Sequence, residues 1–144
     1  MQFAKEEIRE RILKAAREEF LEKGFRDASI RSITARAKTS KSNLYNYFDD
    51  KDALFCAVLN PTLSAIEKGL AAVMERNRTR SETTYSFEAQ KEYIIVVMEY
   101  VYAHQEDVKL LLFCAGGSSL EGYRDTILDG FTGVLDDWLK QAAP

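Results

Sequence analysis

Few residues in this chain can interrupt a helix, because only two prolines and seven glycines occur in 144 residues. Folds built from many short strands need turn residues every few positions, whereas long helices need few. A chain of this length also falls within the usual size of a single domain. The sequence therefore predicts an all-α fold, either as one compact body or as two small helical lobes that share a core.

The first helix is predicted from the spacing of its apolar residues. From Ile8 to Phe20 they recur with the period of one helix face, with Glu, Arg and Lys between them, so Lys5–Lys23 is expected to be amphipathic. Gly24 follows, where a glycine readily takes the left-handed conformation that ends a helix. Phe25 is then expected to fold back onto Phe20.

Two serines predict the next two helices. Ser29 is a suitable N-cap for a short helix whose Ile33 faces inward, and Ser40 is a suitable N-cap for a third helix over Lys41–Tyr47. Only residues 38–40 connect them. Two short helices joined by such a turn have the helix-turn-helix geometry, which places its second helix in the major groove of DNA.

The residues of this segment also resemble a known family. The run SIRSITARAKTSKSNLYNYFDDKDALFCAVL, residues 29–59, is similar to the N-terminal signature of the TetR family of bacterial repressors. The family pattern combines capping serines, aliphatic and small residues in the first short helix, a Leu-Tyr pair, two aromatic residues and a lysine. These fall on Ser29, Ile33, Ala37, Ser40, Leu44, Tyr45, Tyr47, Phe48 and Lys51. LYNYF with the lysine after it is the most specific part.

Two positions depart from that family pattern. Lys38 stands where the family usually has Gly, and Thr34 stands where it usually has a small residue such as Ala. If Lys38 has to adopt a positive φ, its conformation costs about 1 kcal/mol relative to glycine. This departure bears on the geometry of the turn and not on its existence, and Lys38 is a candidate for an additional phosphate contact.

The third helix has the composition of a DNA-contacting element. Leu44 and Phe48 lie four residues apart and are expected to pack inward. The outward residues are then Lys41, Ser42, Asn43, Tyr45 and Asn46. Asn43 or Asn46 can donate to and accept from adenine, Ser42 can bond to either kind of base, and Tyr45 can contact a thymine methyl group or a phosphate.

Phosphate contacts are predicted for residues around this helix. Ser29, Arg31 and Tyr47, together with backbone amides, are expected to fix the position of the protein on the duplex. Lys51 opens the fourth helix, where the helix dipole disfavours a cation and a bound phosphate would reverse that preference. The alternative is a solvated lysine, offset by the acidic residues Asp49, Asp50 and Asp52.

The charge distribution agrees with a DNA-binding N-terminal region, although the chain carries a net charge of −3. Residues 26–48 contain five basic side chains and one acid, whereas residues 52–144 contain eight bases and fourteen acids. The positive charge is concentrated where a DNA-binding surface is expected.

The rest of the chain is predicted to be helical. A three-helix DNA-binding domain is expected over residues 1–50 and a helical ligand-binding and dimerisation region over 51–144. The two are expected to be joined by a long helix that starts near residue 51 and kinks at Pro61. Residues 76–85 are expected to form a polar connection. Beyond it we expect a buried helix over 87–105, with a strand as the alternative reading of IIVVMEYVY, and a short helix over 107–115. Ser118 and Glu121 form a candidate capping box for a last helix reaching about residue 141.

The family resemblance implies a small-molecule effector held among these later helices. An apolar pocket with hydroxyl groups is expected from Tyr93, Met98, Tyr102, Phe113 and Tyr123, although each of them is individually more typical of a core residue. The resemblance further implies a homodimer on a palindromic double-stranded DNA operator. Family members usually continue through two more helices, so either the chain is incomplete or its last helix carries the dimer contact.

Other function classes find little support in the sequence. No pair of catalytic acids, nucleophile with a base, or metal-ligand spacing can be assembled, so an enzyme and a cofactor are not expected. The apolar runs are too short for a membrane span, and a cytoplasmic location is expected. The competing hypothesis is an all-helical protein-interaction or adaptor module that keeps the helix-turn-helix only as a packing unit and does not bind DNA.

Overall fold

The protein is described by a computed structural model covering residues 2–79, 87–129 and 132. Its helices are α1 (Gln2–Asp27), α2 (Ile30–Arg36), α3 (Lys41–Tyr45), α4 (Lys51–Thr79), α5 (Phe87–Ala103) and α6 (Gln105–Phe113). Residues 123–129 form a further helical segment, and no strand occurs within the ranges just given. The predicted all-α fold is confirmed, and the strand alternative for the segment in α5 is wrong.

Gly24 interrupts helix α1 three residues before the helix ends at Asp27. Its φ of 73° and ψ of 167° lie in a region that only glycine adopts readily, and the helix resumes briefly as far as Asp27. The positive φ was predicted, but this ψ does not belong to the left-handed helical conformation. Phe25 does fold back as expected, and its ring stacks on that of Phe20 with 6.0 Å between centroids.

The core is formed by aromatic and aliphatic side chains from α1, α4 and α6, to which α2 and α3 add Ile33 and Leu44. Phe55 contacts both Phe20 and Phe25, with ring centroids 4.9 Å and 5.2 Å away. Burial of each such ring contributes about 1.5–3 kcal/mol to folding. Leu110 and Leu111 of α6 belong to the same cluster. The core therefore extends across residue 50, and the division into two domains at that point stays a prediction.

Helix α4 begins where the sequence predicted and ends later. The Asp50 carboxylate accepts a hydrogen bond of 2.7 Å from the Ala53 N–H, as an N-cap residue does. The helix continues to Thr79, so residues 76–79 are helical and not part of a polar connection. Loss of the apolar period does not by itself end a helix, and residues 70–79 contain no Gly or Pro that would end it. The remainder of that connection, residues 80–86, lies outside the described part of the chain.

Helix α5 is less buried than its composition predicted. Its described side chains include five large apolar residues that are 46–79% exposed: Ile94, Ile95, Val96, Met98 and Tyr102. The expectation of a buried helix is wrong for this part of the chain. No helix among the described residues is long and apolar enough to span a membrane.

The segment after α6 forms a turn and not the predicted capping box. The Ser118 hydroxyl donates to the Ala115 carbonyl and accepts from the Leu120 N–H. Gly117 provides a φ of 86° in this turn. The next helical segment begins at residue 123, so Glu121 precedes it, and the predicted extent to residue 141 lies beyond the described residues.

Candidate nucleic-acid interface

The helix-turn-helix is capped at both of its helices as predicted. The Ser29 hydroxyl accepts a 3.1 Å hydrogen bond from the Ser32 N–H, and the Ser40 hydroxyl accepts one of 3.0 Å from the Asn43 N–H. Each cap satisfies an amide that the helix itself leaves without a partner. Helix α3 ends at Tyr45, two residues earlier than predicted.

The turn between these helices adopts the conformation that the family's glycine position implies. Lys38 has a φ of 51°, the one positive φ outside glycine in the described chain. The Thr39 N–H donates to the Thr34 carbonyl at 3.0 Å and closes the turn. The buried Thr34 is accommodated because its hydroxyl is shared between the carbonyls of Ile30 and Arg31. Neither departure from the family pattern prevents the turn.

Helix α3 packs on one face and is exposed on the other. Leu44 is fully buried and Phe48 is 5% exposed, as the spacing predicted. The exposed residues are Lys41, Ser42, Tyr45 and Asn46. The Lys41 ammonium lies 5.8 Å from the centre of the Tyr45 ring. This face offers a cation, a hydroxyl, a phenol and an amide to a partner.

The two asparagines of this segment have different surroundings. The Asn43 side chain is half-buried and donates to the Thr39 hydroxyl at 2.8 Å. Asn46 is exposed at the C-terminal end of α3. The geometry favours Asn46 over Asn43 for a base contact, while the assignment of either to a base stays a prediction.

The predicted phosphate contacts fall at the start of α2 and after α3. Ser29 and Arg31 are exposed, and Tyr47 is half-buried beside Phe48. The Ser29 oxygen accepts the cap bond, which leaves its hydroxyl hydrogen for a second acceptor. Their role in contacting phosphates stays a prediction.

Lys51 opens α4 as predicted, but its side chain points back to the end of α1. Its Nζ donates to three carbonyls at the end of α1, those of Phe25 at 2.8 Å, Ala28 at 3.0 Å and Arg26 at 3.2 Å. The ammonium also lies 4.6 Å from the centre of the Phe25 ring. Since an ammonium group has three donors, this geometry leaves none for a phosphate. The structure therefore favours a helix-capping role for Lys51, and its contact with a phosphate stays a prediction.

The basic charge of this region is partly neutralised within the protein. Arg36 binds the Glu22 carboxylate through both terminal nitrogens, at 2.9 Å and 2.5 Å, which lowers the pKa of Glu22 and raises that of Arg36. Arg26 lies 3.8 Å from Glu121. Among the basic residues of 26–48, the exposed ones that form no ion pair with a described residue are Arg31, Lys38 and Lys41.

A fully buried carboxylate beside α2 was not singled out by the sequence pattern. Glu19 is 0% exposed and accepts hydrogen bonds from the Ser32 hydroxyl at 2.6 Å, Lys23 at 2.9 Å and the Ser29 N–H at 3.3 Å. Burial by itself raises the pKa of this carboxyl, but the three hydrogen bonds outweigh burial and hold the pKa below its ordinary value. Its position one helical turn from Ala16, on the inward face, was the available signal.

The predicted ligand-pocket residues do not enclose a pocket in the part of the chain that is described. Met98, Tyr102 and Phe113 are 58–79% exposed, and Tyr123 is half-buried against the core. The Tyr93 side chain lies outside the described residues. A shallow cavity of about 240 Å³ is lined by one of the five, Tyr102, together with Ala103 and five polar residues: Arg17, His104, Gln105, Glu106 and Asp107. Ligand binding by these residues stays a prediction.

Helix α6 is attached to α1 near both of its ends. Close to its start, the buried Asp107 pairs with Arg17 and accepts a hydrogen bond of 3.1 Å from the buried Thr62 hydroxyl of α4. Just after its end, the Cys114 carbonyl accepts a 2.8 Å hydrogen bond from the Phe25 N–H. Among the described residues, no group of His, Cys, Asp and Glu is arranged to hold a metal ion.

Comparison with known proteins matches the N-terminal region to one family. Residues 12–58 match the family model for "Bacterial regulatory proteins, tetR family". The chain is 33% identical over 76 residues to the uncharacterized HTH-type transcriptional regulator YdgC of Bacillus subtilis (strain 168), which covers 53% of this chain and 39% of that protein. It is 40% identical over 75 residues to the HTH-type transcriptional regulator UidR of Escherichia coli (strain K12), covering 52% and 37%.

A third relative matches over a longer stretch of the chain. The HTH-type transcriptional repressor NicS of Pseudomonas putida is 29% identical over 103 residues, covering 72% of this chain and 46% of that protein. The three matches thus span less than half of the relatives' own length. The capped helix-turn-helix lies within residues 12–58, the segment that is similar to the tetR family of bacterial regulatory proteins.

Proposed function

We propose that the protein is a sequence-specific DNA-binding transcriptional regulator that acts as a repressor. The observation that carries the proposal is the exposed face of α3, in which Lys41, Ser42, Tyr45 and Asn46 stand above the buried Leu44. A face with these donors and acceptors fits the major groove, and the cations beside it fit the flanking phosphates. A cytoplasmic location follows from a function on bacterial DNA.

We infer in addition that a small-molecule effector relieves repression. Support comes from the attachment of α6 to α1 at the Asp107–Arg17 pair and at the Cys114–Phe25 hydrogen bond. A ligand that shifts α6 has to move α1 or break these two contacts, so its binding free energy can change the DNA-binding region. The residues proposed for the ligand are those predicted from the sequence.

A homodimer on a palindromic operator is part of the proposal. Two subunits related by a two-fold axis bind half-sites about 34 Å apart, or a multiple of that distance. The exposed apolar residues of α5 are more extensive than scattered surface residues usually are, which supports an association through the helices that follow the DNA-binding region.

The same exposed apolar residues favour the second candidate, an all-helical interaction module. Ile94, Val96 and Met98 on α5 are 55–62% exposed and offer an apolar surface to a protein partner. That candidate predicts binding to proteins without salt-dependent binding to DNA.

Selection of duplexes from a random library separates the two candidates. The purified protein is incubated with the library at two salt concentrations beside a Tyr45→Ala, Asn46→Ala variant, whose changes lie on the exposed face and leave the core intact. Enrichment of a palindrome by the wild type, weaker at high salt and lost in the variant, supports the regulator. Equal recovery of all sequences, or none, from a folded wild type contradicts it.

A further inference from the structure

Glu19 carries a negative charge at a position where the period of α1 calls for an apolar side chain. It lies on the face that buries Ala16 and Phe20, and it is fully buried itself. Burial of a carboxylate is unfavourable unless hydrogen bonds and opposite charges compensate it. An apolar residue of similar size would fill this position without that cost, so the contacts of the carboxylate have to account for its presence.

The contacts of Glu19 reach both ends of α2. One oxygen accepts from the backbone N–H of Ser29, the N-cap, and from Lys23 of its own helix. The other accepts from the hydroxyl of Ser32 in the first turn and lies 3.4 Å from the guanidinium of Arg36, the last residue of the helix. Each carboxylate oxygen thus contacts two groups, and three of the four belong to α2 or its cap.

Few apolar side chains hold α2. Ile33 is its one fully buried large side chain, with Ile30 partly buried against the core and Ala37 buried just after the helix, so apolar contacts alone leave rotation of α2 about its axis weakly constrained. Rotation would displace Ser29 and Arg31, the residues predicted to contact phosphates, and would displace α3 through the short turn that follows. One fixed carboxylate that accepts hydrogen bonds from the start of α2 and forms an ion pair with Arg36 at its end removes this freedom.

We propose that Glu19 is a positioning residue for operator binding, whose ionised carboxylate fixes the orientation of α2 and thereby that of α3 on the DNA. The inference rests on the proposed DNA-binding function and deepens it. Glu19 contacts no base or phosphate in this account. The orientation of α3 determines how well the protein fits a particular base sequence. A change at Glu19 should therefore alter binding to the selected operator more than binding to random duplex, which depends on charge.

Two substitutions and a matched control test this role. Glu19→Gln keeps the size of the side chain but replaces one carboxylate oxygen by an N–H₂ group. This group faces hydrogen-bond donors and cannot accept from them, so the four contacts of Glu19 are no longer all satisfied. Ser32→Ala removes one α2 contact and leaves the carboxylate in place. Glu22→Gln is the control, because Glu22 pairs with the same Arg36 from the exposed surface and does not contact Ser29 or Ser32.

Affinity for the selected operator and for random duplex is measured by fluorescence anisotropy, with helicity and melting temperature checked by circular dichroism. For folded Glu19→Gln we expect operator affinity to fall about tenfold or more while random-duplex affinity changes less than about threefold. Ser32→Ala should shift the ratio in the same direction, and Glu22→Gln should leave it within about twofold.

Unchanged operator preference in folded Glu19→Gln overturns the proposal, as does equal loss on both duplexes. If Glu19→Gln does not fold, the operator preference of Ser32→Ala decides in the same way. A wild type that selects no operator contradicts the proposed function itself and is seen before any variant is compared.

Discussion

The Nζ atom of Lys51 lies 2.8 Å from the carbonyl oxygen of Phe25, a residue 26 positions earlier in the chain. With the carbonyls of Arg26 and Ala28 also in contact, the first residue of α4 closes the end of α1. The lysine of the family pattern therefore joins the two helices between which the helix-turn-helix is held.

Loss of this contact should reduce stability. Lys51→Met keeps the aliphatic stem and removes the charged donors, and we expect the free energy of unfolding to fall by about 1–3 kcal/mol in urea titrations. Lys68→Met, an exposed lysine on the same helix, should change it by less than about 0.5 kcal/mol. Unchanged stability together with weaker DNA binding in Lys51→Met would instead support the phosphate contact.

The positive φ of Lys38 gives opposite predictions for stability and DNA binding. Lys38→Gly removes the cost of the left-handed conformation, although glycine also increases the conformational entropy of the unfolded chain. The net effect should be a free energy of unfolding higher by roughly 0.5–1 kcal/mol. Lys38→Met removes the same charge but keeps the cost of the positive φ, so it separates the effect of the charge from that of the backbone conformation. Both variants should bind DNA more weakly; equal stability of the two variants would count against a backbone cost at this turn.

The pair formed by Arg17 and Asp107 should couple α1 to α6. Arg17 is about one-third exposed and Asp107 is buried, so we expect a coupling free energy of about 1–3 kcal/mol from the Arg17→Met, Asp107→Asn double-mutant cycle. The exposed neighbour Glu106 provides the control through Glu106→Gln. A coupling indistinguishable from zero would remove the main support for transmission through α6.

Glu19 should make stability depend on pH in the acid range. Since its pKa is lowered by folding, the carboxylate stabilises the native state above the ordinary carboxyl pKa of 4.5, and this contribution is lost as the pH falls below that value toward the folded pKa. Urea titrations between pH 6 and about 3 should therefore show wild type and Glu19→Gln converging on acidification. Parallel curves would contradict an ionised, hydrogen-bonded Glu19.

Local patterns predicted most of the N-terminal region because they act over a few residues. The caps at Ser29 and Ser40, the inward packing of Leu44 and the positive φ at Lys38 each depend on neighbouring positions. The family pattern correctly placed a lysine at the start of α4 but could not show that its donors point back to α1.

Contacts between distant residues could not be read from those patterns. Glu19 looked like one more charged residue of an amphipathic helix, because its partners Ser29 and Ser32 lie more than two helical turns away in sequence. The exposure of α5 was missed for a related reason. Hydrophobicity indicates that a face needs a partner, but it does not tell which segment provides one.

The salt dependence of operator binding tests the central claim most directly. Anisotropy titrations of the selected duplex between 50 and 300 mM salt give the slope of log K against log salt, which is about −0.9 for each phosphate neutralised. With Arg31, Lys38 and Lys41 as the exposed basic residues of 26–48 without an ion pair to a described residue, the account predicts a slope of about −2.7 per subunit and about −5.4 for a dimer. It also predicts a slope smaller by about one per subunit in Arg31→Met. A slope near zero, or operator affinity unchanged by Tyr45→Ala, would contradict the claim that α3 and its flanking cations bind DNA.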